Sequence, residues 1–212
     1  MINIYTPLER GLGSWIAGAE HSSFEEAEVV LIPGGSDWQP SLYGHSKLSS
    51  TYIYPESDIR EMDLINEAVD AGKFIIGICK GSQGLTIRAG GWLIQHVTNH
   101  GGYHKMETHD GKILTVNSTH HQMSYPYDLP EQDYKLLGWA AERSNEYRVA
   151  TEKVEHEDPE LAFDELGRFK EPEVIWYPKI RGMAVQFHPE YTSAPEEANV
   201  WLNQQLIKLL EK

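Results

Sequence analysis

The 212-residue chain is 40% hydrophobic and 24% charged, the balance of a globular domain with a sizeable core. Its formal net charge of −14 argues against non-specific binding to nucleic acid or to an anionic membrane, since both need basic patches. A lone cysteine excludes an internal disulfide, no apolar run approaches the roughly 20 residues that span a bilayer, and the N-terminus lacks the basic-apolar-small order of a signal peptide, so a reducing, cytoplasmic setting is expected.

Residues 2–6 and 28–32 read as strands, the second ending in Pro33-Gly34-Gly35. The chain between them is about one helix long. Residues 58–71 place Ile59, Met62, Leu64, Ile65 and Ala68 at helical spacing, with Gly72 as a C-cap. Residues 73–78 are apolar and rich in β-branched side chains, the signature of a buried parallel strand. A helix over about 82–89 follows and stops at Gly90-Gly91. Strands are predicted at 112–117, 134–139, 146–151, 173–177 and 182–187, then an amphipathic helix over about 195–210 carrying Ala198, Trp201, Leu202, Leu206 and Leu209. No internal repeat or linker interrupts this order. Early strand–helix alternation with a strand-rich second half predicts one α/β domain over residues 1–212: a central parallel sheet with antiparallel additions.

The chemistry concentrates at the end of the buried strand. In Gly77-Ile78-Cys79-Lys80-Gly81-Ser82-Gln83 a thiol sits between a strand and a helix with glycines on both sides. That layout is a nucleophile elbow: a sharp turn pushes the side chain out of the sheet, and small neighbours let the backbone approach a substrate. The helix N-terminus behind the thiol favours the thiolate. A thiol nucleophile needs a base, and the base an orienting group. His188 and Glu190, in Gln186-Phe187-His188-Pro189-Glu190, follow another predicted strand and meet that need: the carboxylate takes one ring nitrogen and leaves the other for Cys79.

These two motifs resemble the Gly-Ile/Val-Cys-x-Gly-x-Gln and Gln-Phe-His-Pro-Glu patterns of the class I, triad-type glutamine amidotransferases. Residues 31–44, with Gly34-Gly35-Ser36-Asp37, and Asn117-Ser118-Thr119-His120 resemble that family's γ-glutamyl hydrolase branch most closely. The resemblance covers residues 28–191. It implies a three-layer, flavodoxin-like α/β fold with a central, mostly parallel sheet. It implies Cys79 as nucleophile, His188 as base then acid, and Glu190 as orienter, with the backbone amides of Gly35 and Lys80 as oxyanion hole. Gln83, Ser118, Thr119 and His120 are the implied substrate-binding residues, Ser118 and Thr119 through their backbone. The family often has Arg where this chain has Lys80; the backbone alone is needed there. No cofactor is implied, and no synthetase domain is expected within the chain.

Three functions compete. The first is a glutaminase-type amidotransferase that forms a γ-glutamyl thioester on Cys79 and releases ammonia to a separate synthetase or to solution. The second is a stand-alone hydrolase of γ-glutamyl amines or peptides. The third is a non-catalytic relative that binds a ligand or partner through the same pocket. The substrate is in each case glutamine or a γ-glutamyl small molecule, with neither nucleic acid nor membrane as partner. Of His96, His100, His104 and His109 the first three are spaced by four, but Asn99 and Gly101-Gly102 break any helix there and no acidic or cysteine partner sits at a ligand spacing, so no metal site is expected. Asn99–His104 resembles a glycine-containing loop bordering the glutamine pocket. His120 and His121 are expected to line that pocket, Trp38 is expected nearest the site among the six tryptophans, and the acidic residues clustered over 152–173 are expected on a solvated excursion.

Overall fold

Val29 and Leu31 pack into one apolar cluster and Val30 and Ile32 into another, so this short strand is covered on both faces. The computed structural model, which describes residues 1–7, 12–150 and 169–211, arranges the chain as β1 (Ile2–Tyr5), β2 (Ala19–His21), β3 (Val29–Ile32), α1 (Pro55–Asp70), β4 (Phe74–Ile78), α2 (Lys80–Arg88), β5 (Trp92–Ile94), β6 (His96–Val97), β7 (Gly101–Thr108), β8 (Ile113–Thr119), β9 (Met123–Tyr125), β10 (Lys135–Ala140), β11 (Tyr147–Arg148), β12 (Pro172–Tyr177), β13 (Gly182–Val185) and α3 (Glu196–Leu210). Among the described residues the main sheet runs β2-β1-β3-β4-β13-β12-β10-β7-β8. From β2 to β13 every pairing is parallel, and from β13 to β8 every pairing is antiparallel.

Helices close both faces of the parallel half. Ile65 and Ala68 of α1 and Leu85 of α2 pack with Val30, Ile32 and Ile75 on one side. On the other, Ala198, Trp201, Leu202, Leu206 and Leu209 of α3 pack with Val29, Leu31, Phe74, Ile76 and Ile78. The result is a three-layer α/β arrangement with apolar residues interleaved on either side of β3 and β4. None of the helices described is long and apolar enough to cross a membrane.

Several elements differ from the sequence expectation. α1 begins three residues earlier, at Pro55, because a proline at the first helical position gives up no needed hydrogen bond. The stretch between β1 and β3 carries the short parallel strand β2. Residues 101–108 form β7, paired along its length with β8. Its exposed first half, with Gly101-Gly102 and charged or polar neighbours, hides the alternation that marks a strand. The acidic cluster divides: Glu152, Glu155, Glu157, Asp158, Glu160, Asp164 and Glu165 lie outside the described residues, as does the last residue of the strand expected at 146–151. Glu171 and Glu173, expected on a solvated excursion, are instead each 1% exposed, beside and within β12. Buried histidines satisfy them, as described below.

Candidate active site

Three loops leave the carboxyl ends of three adjacent parallel strands, the edge where open α/β sheets hold their ligands. β3 delivers Pro33, Gly34 and Gly35. β4 delivers Cys79. β13 delivers His188 and Glu190. These residues, with Leu12, Thr119 and Tyr191, line a cavity of about 400 Å³.

Cys79 adopts φ 50° and ψ −106°, a conformation that L-residues disfavour and that costs on the order of 1–3 kcal/mol. The surroundings enforce it. The Cys79 N–H donates to Val185 O at 2.8 Å, holding the turn to β13, and Gly81 N–H donates to Pro33 O at 3.1 Å, holding it to the β3 loop. A Cβ at Gly77 would sit 2.3 Å from Gly81 O, and one at Gly81 would sit 2.4 Å from Ile32 O, so strand and helix meet backbone to backbone. This is the elbow that the two glycines predict.

Lys80 contributes more than its backbone. Its side chain is 1% exposed, with Nζ 2.8 Å from Asp58 Oδ1 and 3.0 Å from Glu61 Oε2, both on α1, and 4.8 Å above the Trp38 ring. Trp38 donates from Nε1 to Lys80 O at 2.6 Å, and Asp58 Oδ2 accepts the Gln39 N–H at 2.8 Å. Asp58 therefore ties the residue after Cys79 to the loop bearing Gly35. Asp58→Ala leaves a buried ammonium with one carboxylate, and the expected loss is about 3 kcal/mol of folding stability, measured by urea denaturation; a change under 1 kcal/mol would contradict it. Trp38 is fully buried and braces the site from behind.

His188 Nδ1 lies 2.7 Å from Glu190 Oε1. Burial disfavours the imidazolium, but the Cys79 sulfur and the Glu190 carboxylate outweigh it and raise the His188 pKa to about 9. An imidazolium beside the sulfur is the setting in which cysteine acts as a nucleophile. His188 is fixed from three sides. Tyr191 stacks on it with centroids 4.4 Å apart. Asn117 clamps its backbone, donating from Nδ2 to His188 O at 2.8 Å and accepting the His188 N–H at 3.1 Å. A Cβ at Gly34 would lie 2.9 Å from His188 Cε1 and 3.5 Å from Cys79 Cβ, so Gly34 packs against both residues.

Of the implied substrate-binding residues, Thr119 lines the cavity and the side chains of the others are engaged beneath it. Gln83 donates from Nε2 to Gln122 O at 3.1 Å and approaches Gln186 Oε1 at 3.4 Å. Ser118 donates from Oγ to His100 O at 2.6 Å. His120, with Nδ1 2.8 Å from Gln122 O, is buried away from the cavity, and burial lowers its pKa to about 3. His121 lies 3.0 Å from Asp37 Oδ1. Asn99–His104 runs into the exposed start of β7 and is absent from the cavity lining. Sequence reasoning misses Leu12, Gly34 and Tyr191. The glycine pair is a signal for Gly34; Leu12 stands in a stretch without periodicity.

A second cluster joins β7 to β12. His100 Nε2 is 2.7 Å from Glu171 Oε2, His100 Nδ1 is 3.5 Å from Glu173 Oε1, and His104 Nε2 is 2.9 Å from the same Glu173 oxygen. The expectation of no metal site rests on the lack of an acidic partner at a ligand spacing; Glu173, 69 residues beyond His104, supplies that partner through the β7-β10-β12 side of the sheet.

Comparison with known proteins agrees with this fold. The model of the family described as Peptidase C26 matches residues 20–128, which include the Gly34-Gly35 loop, Cys79 and β8. NtpR of Enterococcus hirae is 31% identical over 124 residues, 46% of this chain and 51% of NtpR. YvdE of Lactococcus lactis, a protein named as glutamine amidotransferase-like, is 29% identical over 170 residues, 78% of this chain and 66% of YvdE. The chain thus spans about half the length of NtpR and just under two thirds of YvdE. Among solved structures, a Thermoplasma acidophilum protein named as a candidate GMP synthase subunit superposes with a TM-score of 0.61 at 14% identity, covering 100% of this chain and 94% of its own. A Thermotoga maritima glutamine amidotransferase superposes at 0.51 with 15% identity, covering 99% and 84%. These two establish the fold as that of the class I glutamine amidotransferases.

Proposed function

The chain belongs to the peptidase C26 family of class I glutamine amidotransferase-like proteins, and from that premise we propose that it cleaves the γ-amide of glutamine, or of a γ-glutamyl amine or peptide, through a thioester on Cys79. The observation that supports this most directly is the strained Cys79 elbow opening into the same cavity as the paired His188 and Glu190.

In the first half-reaction the Cys79 sulfur attacks the γ-carbonyl carbon. The oxyanion that forms is held by the backbone amides of Gly35 and Lys80; losing one such donor typically costs about 10²–10³ in rate. His188 passes its proton to the amide nitrogen, the C–N bond breaks, and ammonia or an amine leaves. In the second, neutral His188 takes a proton from water, the hydroxide equivalent attacks the thioester, the C–S bond breaks, and glutamate departs, its carboxyl proton passing to solvent, as the Cys79 thiolate and the His188 imidazolium are restored. Glu190 keeps the His188 ring oriented and charged. Thr119 and Tyr191, on the cavity wall, meet the substrate, and the backbone of Ser118 and Thr119 holds its α-amino and α-carboxylate end. No step calls for a cofactor. The single unpaired thiol suits a reducing, cytoplasmic compartment.

A hydrolase acting by itself is the second reading, and the Gly34-Gly35-Ser36-Asp37 and Asn117–His120 segments favour it. An acceptor screen separates the two. If the hydrolase reading holds, the purified protein releases amine from γ-glutamyl amines without any addition, at a kcat/KM at least tenfold above that for glutamine. Glutamine turnover that appears on adding a synthetase partner supports the amidotransferase reading. Failure of both substrate classes with and without a partner favours a non-catalytic, ligand-binding relative and overturns the proposal.

A further inference from the structure

Three buried polar atoms in and beside the His100–His104–Glu173 cluster make no hydrogen bond: His100 Nδ1, Glu173 Oε2 and His120 Nε2. Buried atoms of this kind are costly unless something satisfies them. Their surroundings share a pattern. The opposite nitrogen of His100 is held by Glu171 Oε2 at 2.7 Å, and the opposite nitrogen of His120 by Gln122 O at 2.8 Å. Glu171 is itself fixed by the Ser144 N–H at 2.6 Å and by the Tyr147 hydroxyl. A carboxylate or carbonyl on the far nitrogen, with the near nitrogen turned into the cluster, is the outer-shell arrangement that orients metal-binding histidines.

We propose that His100 Nδ1, His104 Nε2 and Glu173 form a binding site for a divalent transition metal of the zinc type. The three ligand atoms lie within 4.8 Å of one another. The Glu173 oxygen is 2.9 Å from His104 Nε2 and 3.5 Å from His100 Nδ1. Those two spacings bracket the roughly 3.3 Å that separates ligands around tetrahedral zinc with bonds of about 2.0–2.1 Å, and the two histidine nitrogens, within 4.8 Å of each other, draw together onto the ion when it binds. Two imidazoles and a carboxylate suit zinc better than calcium or magnesium, which prefer oxygen shells. His120, with its ring centroid 4.6 Å from that of His100, brings a further imidazole beside the cluster. On entry the metal displaces the protons on His100 Nδ1 and His104 Nε2, which pass to buffer, and no redox change is involved. The ion ties β7 to β12, and through the Ser118 hydroxyl on His100 O it stiffens the strand that presents Thr119 to the cavity.

The test uses the full chain in a Cys79→Ala background, so that a thiolate–imidazole site at Cys79 cannot bind the probe. EDTA-treated protein is titrated with Zn²⁺ and Co²⁺. The expected results are one Zn²⁺ retained per chain after gel filtration, a raised melting temperature, and Co²⁺ absorption bands of a four- or five-coordinate nitrogen–oxygen site. His104→Gln, at a partly exposed position, and Glu173→Gln should each weaken Zn²⁺ binding at least 100-fold, while His109→Gln, outside the cluster, leaves it unchanged. If Glu173→Gln does not fold, His104→Gln decides. Absence of stoichiometric binding, or binding that His104→Gln leaves intact, overturns the site. None of these readouts depends on turnover, so the outcome is independent of the proposed amide hydrolysis.

Discussion

Cys79→Ala should reduce hydrolysis of glutamine and γ-glutamyl amides by about 10⁶-fold, to background, since removing a nucleophile by itself typically disables the whole catalytic unit. The fold should persist. The substitution deletes one sulfur from a side chain at the cavity wall, with a stability change of about 1 kcal/mol or less. Strain adds a second signature. At φ 50° and ψ −106° any Cβ is disfavoured, so Cys79→Gly should be at least as stable as Cys79→Ala, although glycine usually lowers stability through the unfolded chain. Thermal melts and an ammonia-release assay on both variants check this. Residual turnover above about 1% in Cys79→Ala would remove the thiol from the mechanism, and a Gly variant clearly less stable than the Ala variant would remove strain from the account of the elbow.

The parts of this molecule legible in the sequence are those whose signal is local. β4 is apolar throughout because it is buried on both faces, and the cysteine and glycines that follow can be accommodated together in few other ways. His188 and Glu190 are two residues apart, so their contact is encoded in one loop. What stays hidden depends on the sheet bringing distant residues together. Glu173 reads as one more acid in an acidic stretch, and His104 as one more histidine in a polar one. Each explains the other's burial only when β7 and β12 flank β10. Lys80 is similar: nothing near it in sequence announces that Asp58 and Glu61, a helix away, bury its charge. The expectation that His120 lines the pocket fails for a related reason. On β8 and just beyond it one face reaches the cavity through Thr119 and the other the cluster behind the strand, and a resemblance between segments does not say which residue faces which way.

The division of labour between His188 and Glu190 gives the second large effect. His188→Ala removes the group that moves the proton in both half-reactions, and kcat/KM should fall by on the order of 10⁴ or more. Glu190→Gln keeps a hydrogen-bond acceptor for Nδ1 but removes its charge, and its loss should be about tenfold to hundredfold smaller. The pH profile separates charge from geometry. Burial favours the neutral His188 ring and the partners reverse that, so the imidazolium persists up to about pH 9 and is lost above it. Because acylation needs that proton for the leaving amine, kcat/KM in the native protein should decline as pH rises through about 9. Removing the Glu190 charge takes away one upward push while burial stays, so the descending limb of Glu190→Gln must move to lower pH. The stability contribution carries the same sign: raised in the folded state, it is full below the usual histidine pKa and disappears as pH climbs through about 9. A limb that stays in place in Glu190→Gln, with activity lost as completely as in His188→Ala, would mean that Glu190 takes part in proton transfer and does more than hold the ring.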